Sequence, residues 1–114
     1  MGTTVTIQLD KHSENLIREY LPTNDILYDL SSFFSAFSDA TRVKLITVLC
    51  MSEMCVNDIA AVVHMNQSTV SHQLRILKDI GIVKSRRLGK IIFYSLKSKY
   101  IEDIMNIGVK HLGL

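Results

Sequence analysis

The stretch NQSTVSHQLRILKDIGIV, Asn66 to Val83, decides how the rest of the chain is read. Val70, Leu74 and Leu77 recur at i, i+4 and i+7, the spacing of one apolar helix face. Asn66 is a capping residue at the start, and Gly81 is a natural stop. The helix is therefore expected from about Gln67 to Lys78. Ser68, Thr69, Ser71, His72 and Arg75 fall largely on its outer side, with Gln67 at its start. Small hydrogen-bonding groups in the first turn, with a basic residue further along, suit a helix whose end is laid against another polar surface.

Upstream the pattern is helical. TNDILYDLSSFFSAF places Ile26, Leu27, Leu30, Phe33, Phe34 and Phe37 on one face, with Thr23 or Asn24 as cap. SDATRVKLITVLC starts at a capping Ser38 or Asp39 and continues as a buried helix, and SEMCVNDIAAVV reads as a further short helix. A short helix near Ser13 to Tyr20, ended by Pro22, precedes them. Downstream the pattern changes. IVKSRRLGKIIFYSL is rich in β-branched and aromatic residues and breaks at Leu88-Gly89-Lys90, which predicts a β-hairpin with Gly89 supplying positive φ. KYIEDIMNIGVKHLGL returns to helical spacing. The expected order is five helices, a hairpin and a closing helix: mainly α with a small β-hairpin, in the α+β class. Residues 1–22 are expected to form an N-terminal arm and residues 23–114 one domain.

Bulk properties narrow the partners. The 114 residues suit one domain, and 47% apolar residues allow a core, although a chain this small gains from a partner subunit. The net charge of +2 conceals an asymmetry. From His72 to Lys99 there are eight basic residues and one acid, a local charge of +7; the remainder holds five basic and ten acidic residues, −5. That is the footprint of a polyanion-binding face. No run of about 18 apolar residues predicts a membrane span, and the start lacks the basic and apolar regions of a secretory signal, so a cytoplasmic location is expected. Gly2 with Thr6 superficially fits a myristoylation pattern, but no polybasic second signal follows. Two cysteines are too few for a disulfide framework and read as free thiols or metal ligands.

Two short helices joined at VHMN, the second opening with small polar residues, are the recipe of helix-turn-helix recognition. The second helix lays its first turn in the major groove of double-stranded DNA. Gln67 can pair bidentately with adenine, and Ser68, Thr69, Ser71, His72 and Arg75 can meet bases or phosphates. The hairpin is then a wing, whose tip, Arg86, Arg87 and Lys90, suits phosphate or a minor groove. A packed helical hairpin explains the helix pair alone. It does not explain the pair, the wing and the +7 charge together.

The segments FSDATRVKLITVL, SEMCVNDIA and QSTVSHQLRILKDIGIVKSRRLGKIIFYSL resemble the ArsR/SmtB family of winged-helix repressors, over roughly Asp25 to the C-terminus. The resemblance implies a winged helix-turn-helix repressor. It also implies a homodimer formed through the first and last helices, and release from operator DNA when an inducer binds. The inducer is often a metal ion, and a divalent ion such as zinc or cadmium is expected here. Of the family's metal sites, one lies before the recognition helix. There Cys55 matches a thiol and Asp58 a carboxylate, while Asn57 breaks the double-thiol version. The remaining donors would come from the partner's arm, where His12 falls on the histidine position. Gln8 stands where a cysteine is expected, leaving Asp10 or water as a substitute. Of the second site, on the closing helices, only His111 survives among Ser98, Tyr100, His111 and Leu114.

Alternatives stand beside this reading. Cys55 and Asp58 can be a buried structural thiol and a helix cap. His111 can be an interface residue or a link toward His72, and His64 an exposed turn residue. Cys50 and Cys55 can form a thiol-redox or persulfide switch, or the regulator can need no inducer. An enzyme is not expected, because no catalytic spacing surrounds either thiol. A pure dimerisation module would leave the +7 patch unexplained.

Overall fold

A computed structural model describes residues 8–114; Gly2 and Thr6 lie outside them. The order is α1 (Lys11–Tyr20), α2 (Asn24–Ser35), α3 (Ala40–Met51), β1 (Met54–Cys55), α4 (Val56–Val63), α5 (Gln67–Ile80), β2 (Val83–Leu88), β3 (Ile91–Leu96) and α6 (Lys99–Leu112). This is a winged helix-turn-helix. No helix among the described residues is long and apolar enough to cross a membrane.

Capping sets the helix starts. Asp10, Thr23, Asp39 and Asn66 each accept a bond from the backbone N–H three residues on, at Ser13, Ile26, Arg42 and Thr69. Arg42 also donates to the carbonyls of Ser35 and Ala36, so the first turn of α3 closes the end of α2. Asp39, not Ser38, is the cap of α3. The first helix starts at Lys11, earlier than Ser13, because Asp10 caps it there.

The segment from Ser52 to Val63 departs from the expected single helix. Met54 and Cys55 are extended and pair with β3, Met54 opposite Tyr94 and Cys55 opposite Phe93. The helix begins only at Val56. The expected two-stranded hairpin is therefore a three-stranded antiparallel sheet in the order β1-β3-β2. Its turn is at Gly89, with φ of 65°. Arg86 and Arg87 lie within β2 rather than at the tip.

The core lies where α3, α4, α5 and the base of the sheet meet. Leu45, Ile46, Ile59, Val70, Leu74, Leu77 and Ile82 are wholly buried in it. Two left-handed residues position the recognition helix. His64 (φ 56°) ends α4 and sends the chain through the turn toward Asn66. Gly81 (φ 90°) ends α5, with the Ile82 N–H donating to the Leu77 carbonyl at 2.9 Å. That closure drives Ile82 and Val83 straight into the core, so helix and wing share one anchor.

Outside this core the molecule is drawn out. It measures 62 × 36 × 22 Å, with a radius of gyration of 19.6 Å. A compact domain of about 100 residues has roughly 13 Å. Neither α1 nor α2 contains a buried residue. Leu16, Ile17, Leu21, Ile26, Leu27 and Phe34 are all exposed there, as are Ile107, Val109 and Leu112 on α6.

Candidate nucleic-acid interface

The apolar stripe of α5 fixes what its other face presents. Val70, Leu74 and Leu77 have no exposed surface, and a residue on a helix is displaced by about 100° from the one before it. Ser68, His72 and Arg75 therefore stand opposite the stripe and are exposed. Gln67 is exposed at the first helical position, and Thr69 and Ser71 are half-buried on the flanks. The Asn66 side chain accepts the Thr69 N–H at 2.8 Å, so the turn that presents these groups is held rigid. Gln73 faces inward, and its Oε1 is the one buried side-chain acceptor without a partner among the described residues.

The wing is tied to this helix. Lys78 Nζ donates to Ser85 Oγ at 2.7 Å, joining the last turn of α5 to β2. Strand alternation sorts the other basic residues. Ser85 and Arg87 project from one face with Val83, which is buried in the core. Lys84 and Arg86 project from the other. Arg87 and Lys90 are exposed and make no side-chain hydrogen bond or ion pair among the described residues. Arg86 makes several. Its Nε and Nη2 donate to the two carboxylate oxygens of Glu53 at 2.9 and 2.6 Å, and its guanidinium lies 5.3 Å from the Phe93 ring centroid. The bond from Arg86 holds the Glu53 carboxyl below its ordinary value. Sequence reasoning did not reach Glu53. The two residues are 33 apart, and only the β1–β3 pairing brings them together.

The candidate inducer residues are less assembled. Cys55 precedes α4 at its cap position without making a side-chain cap bond, and Asp58 lies exposed in the first turn. Asp58 is thus not the helix cap. Cys55 is half-buried and lines a cleft of about 260 Å³ with Val56, Asn57, Lys90, Ile91 and Ile92. His12 is exposed on α1. No three His, Cys, Asp or Glu residues cluster among the described residues, and Cys55 lies on β1 while Asp58 lies on α4, so the two do not share one helix face. Asp10 is engaged as the cap of α1, and the Ser13 N–H lowers its pKa.

The two thiols lie in different surroundings. Cys50 packs against the core, where burial, and then Glu102, push its thiol up. Cys55 stands opposite Phe93 on the sheet face turned away from Met54 and Tyr94, both of which pack on the core. His111 is exposed in the last turn of α6, and His64 is exposed in the turn. Neither makes a side-chain hydrogen bond among the described residues, so no link from His111 to His72 is present within the protomer.

Comparison with known proteins agrees with this geometry. Residues 39–85 match the model of a family described as bacterial regulatory protein, arsR family. A transcriptional repressor SmtB homolog of Synechocystis sp. is 39% identical over 88 residues, covering 77% of this chain and 67% of the relative. A cadmium resistance transcriptional regulatory protein CadC homolog of Staphylococcus aureus is 39% identical over 84 residues, covering 73% and 69%. Among solved structures, the AntR antimony-specific transcriptional repressor superposes with a TM-score of 0.73 at 27% identity, over 95% of this chain and 96% of that one. The homodimeric winged helix-turn-helix DNA-binding domain of a possible ArsR-family regulator from Mycobacterium bovis shares the fold. Its TM-score is 0.72 at 23% identity, over 82% of this chain and 89% of that one.

Proposed function

The chain belongs to the arsR family of bacterial regulatory proteins, and from that premise we propose a homodimeric transcriptional repressor that a metal ion releases from operator DNA. The family is one of regulators, which removes the thiol-enzyme reading. The observation that carries the DNA-binding part is the outer face of α5. It is anchored from behind by three wholly buried side chains and open in front at Gln67, Ser68, His72 and Arg75. Small polar groups so placed reach base edges in a major groove, and Thr69 and Ser71 flank them. Arg87 and Lys90 on the wing meet the phosphate backbone.

Dimerisation is supported by what the core leaves uncovered. The core leaves many large apolar side chains of α1, α2 and α6 exposed, the kind of surface that marks an interaction site. An apolar groove of about 370 Å³ opens between Phe34, Phe37 and Val43 on one side and Ile104, Met105 and Val109 on the other. Covering these helices with a second copy places two recognition helices on one duplex. Their half-sites are then about 34–36 Å apart, one helical turn.

The inducer reading rests on the donor types. A thiolate, a carboxylate and an imidazole suit a borderline or thiophilic ion such as zinc or cadmium. Cys55 and Asp58 supply two donors, and His12 of a second copy would supply the third. Such an ion neutralises the thiolate and ties the arm to the segment preceding α4. It drives release only by binding the DNA-free state more tightly, commonly by ~1–3 kcal/mol. Ligation needs thiolate and neutral imidazole, so affinity rises with pH. The test is release of the purified protein from a duplex it has selected out of a random pool, as zinc or cadmium is titrated. Cys55→Ser should bind DNA normally and no longer respond, whereas Cys50→Ser should respond normally. A normal response of Cys55→Ser places the inducer elsewhere, and DNA affinity indifferent to every metal discards a metal inducer. The two thiols' different surroundings lend the redox alternative no support.

A further inference from the structure

Arg86 reads in the sequence as one more wing cation for phosphate. Its surroundings say otherwise. The guanidinium is forked onto Glu53 through two bonds of 2.6 and 2.9 Å, the planar bidentate geometry in which Arg and carboxylate match best. The fork has an unusual reach. Glu53 immediately precedes β1, Arg86 is on β2, and β3 lies between them. The pair therefore crosses two strand spacings, about 10 Å. It passes over Phe93, the β3 residue directly opposite both Arg86 and Cys55. Cys55, Phe93 and Arg86 thus form one row across the sheet, strapped by the fork.

The strapped face is also the wrong one for the recognition helix. Ser85, which receives Lys78 of α5, and Arg87 project from the opposite face. The two neighbouring arginines therefore have different surroundings. Arg87 is exposed on the side that α5 occupies. Arg86 has its charge balanced by a carboxylate on the side away from α5.

We propose that Arg86 is a wing-positioning residue, which straps β2 across β3 to Glu53 and fixes the wing's angle relative to α5, and that it is not a phosphate contact. The strap and the Lys78–Ser85 bond then hold the wing from its two faces. If Cys55 carries the inducer, as proposed above, Glu53 stands two residues from it, and the strap hangs the wing from the segment the inducer engages.

Salt dependence separates a strap from a contact. A phosphate contact releases counterions, so its loss lowers the slope of log K against log[salt] by about 0.9 per protomer. Loss of a strap weakens binding without changing that slope. The measurement is affinity for a duplex selected from a random pool, across salt concentration, for Arg86→Ala, Glu53→Gln, their combination, and Arg87→Ala. The strap predicts that Arg86→Ala and Glu53→Gln each weaken binding about two- to fivefold, the range of exposed ion pairs. The combination is no weaker than either alone, and only Arg87→Ala lowers the slope. The proposal is overturned if Arg86→Ala lowers the slope as Arg87→Ala does, or if Glu53→Gln tightens binding by unmasking a cation. Amide hydrogen exchange of the DNA-free protein judges the strap even if no duplex is selected. Exchange from Arg87 to Ile92 should quicken in both single variants, and unchanged exchange there also overturns the proposal.

Discussion

At the scale of single residues, the two left-handed positions do the most for the site. Gly81 carries φ of 90°, a conformation that costs a residue with a Cβ ~1–2 kcal/mol. The closure it makes puts Ile82 in the core, so it sets where the wing leaves α5. His64 occupies the same region of backbone space without glycine's freedom, at φ 56°. Substitutions at the two positions should therefore act in opposite directions. Gly81→Ala is expected to lower stability by ~1 kcal/mol or more, and His64→Gly to raise it by up to ~1 kcal/mol. Urea midpoints of the two variants check this, and a fall for His64→Gly would show that the imidazole contributes more than its backbone costs. Gly81 was legible as a helix stop because glycine after a periodic run has few other uses. His64 was legible only as a turn residue, because histidine carries no comparable backbone signal.

At the scale of elements, what the sequence disclosed depended on how far each element's cause lies along the chain. The stripe Val70, Leu74, Leu77 and the cap Asn66 are local, and α5 stands where they place it. Gly89 likewise marks the wing turn, with φ of 65°. Strand β1 is the opposite case. Met54 and Cys55 have no alternation to read and are extended because Tyr94 and Phe93, some 40 residues on, pair with them. The same long-range pairing concealed the partner of Arg86. The wing residues were legible as a charge cluster but not as two faces, since alternation says which residues differ and not which side the recognition helix takes. Helix and wing should differ in what they contribute. Ser68→Ala or Gln67→Ala is expected to change which duplexes are preferred, by ~1–3 kcal/mol for each good base contact. Arg87→Ala should weaken binding almost equally across sequences, because phosphate contacts position rather than specify. Selection from a random pool by each variant measures this. An unchanged preference in Ser68→Ala and Gln67→Ala, with a changed one in Arg87→Ala, would mean that the two roles are reversed.

At the scale of the whole molecule, charge and shape point to the same division of labour. The basic residues gather on α5 and the wing, where Asp79 is the single acid, while the other acids lie before α5 and at the start of α6. Most of the uncovered apolar side chains are on α1, α2 and α6, with a smaller group at the end of the wing, Leu88, Ile91 and Ile92. One end therefore suits a polyanion, and the other suits the second copy of the chain proposed above. The proposed inducer site was the least legible part, because no three metal-type side chains cluster among the described residues and any further donor would come from the assembly.

The central claim is that the α5–wing face meets the phosphate backbone of DNA, and its salt dependence is the most direct test. Affinity of the intact protein for a selected duplex is measured from low to high salt. The account predicts a linear fall of log K with log[salt], with a slope of about −0.9 for every phosphate neutralised and a shallower slope when Arg87 is replaced by alanine. A flat response, or a slope unchanged in Arg87→Ala, would contradict it.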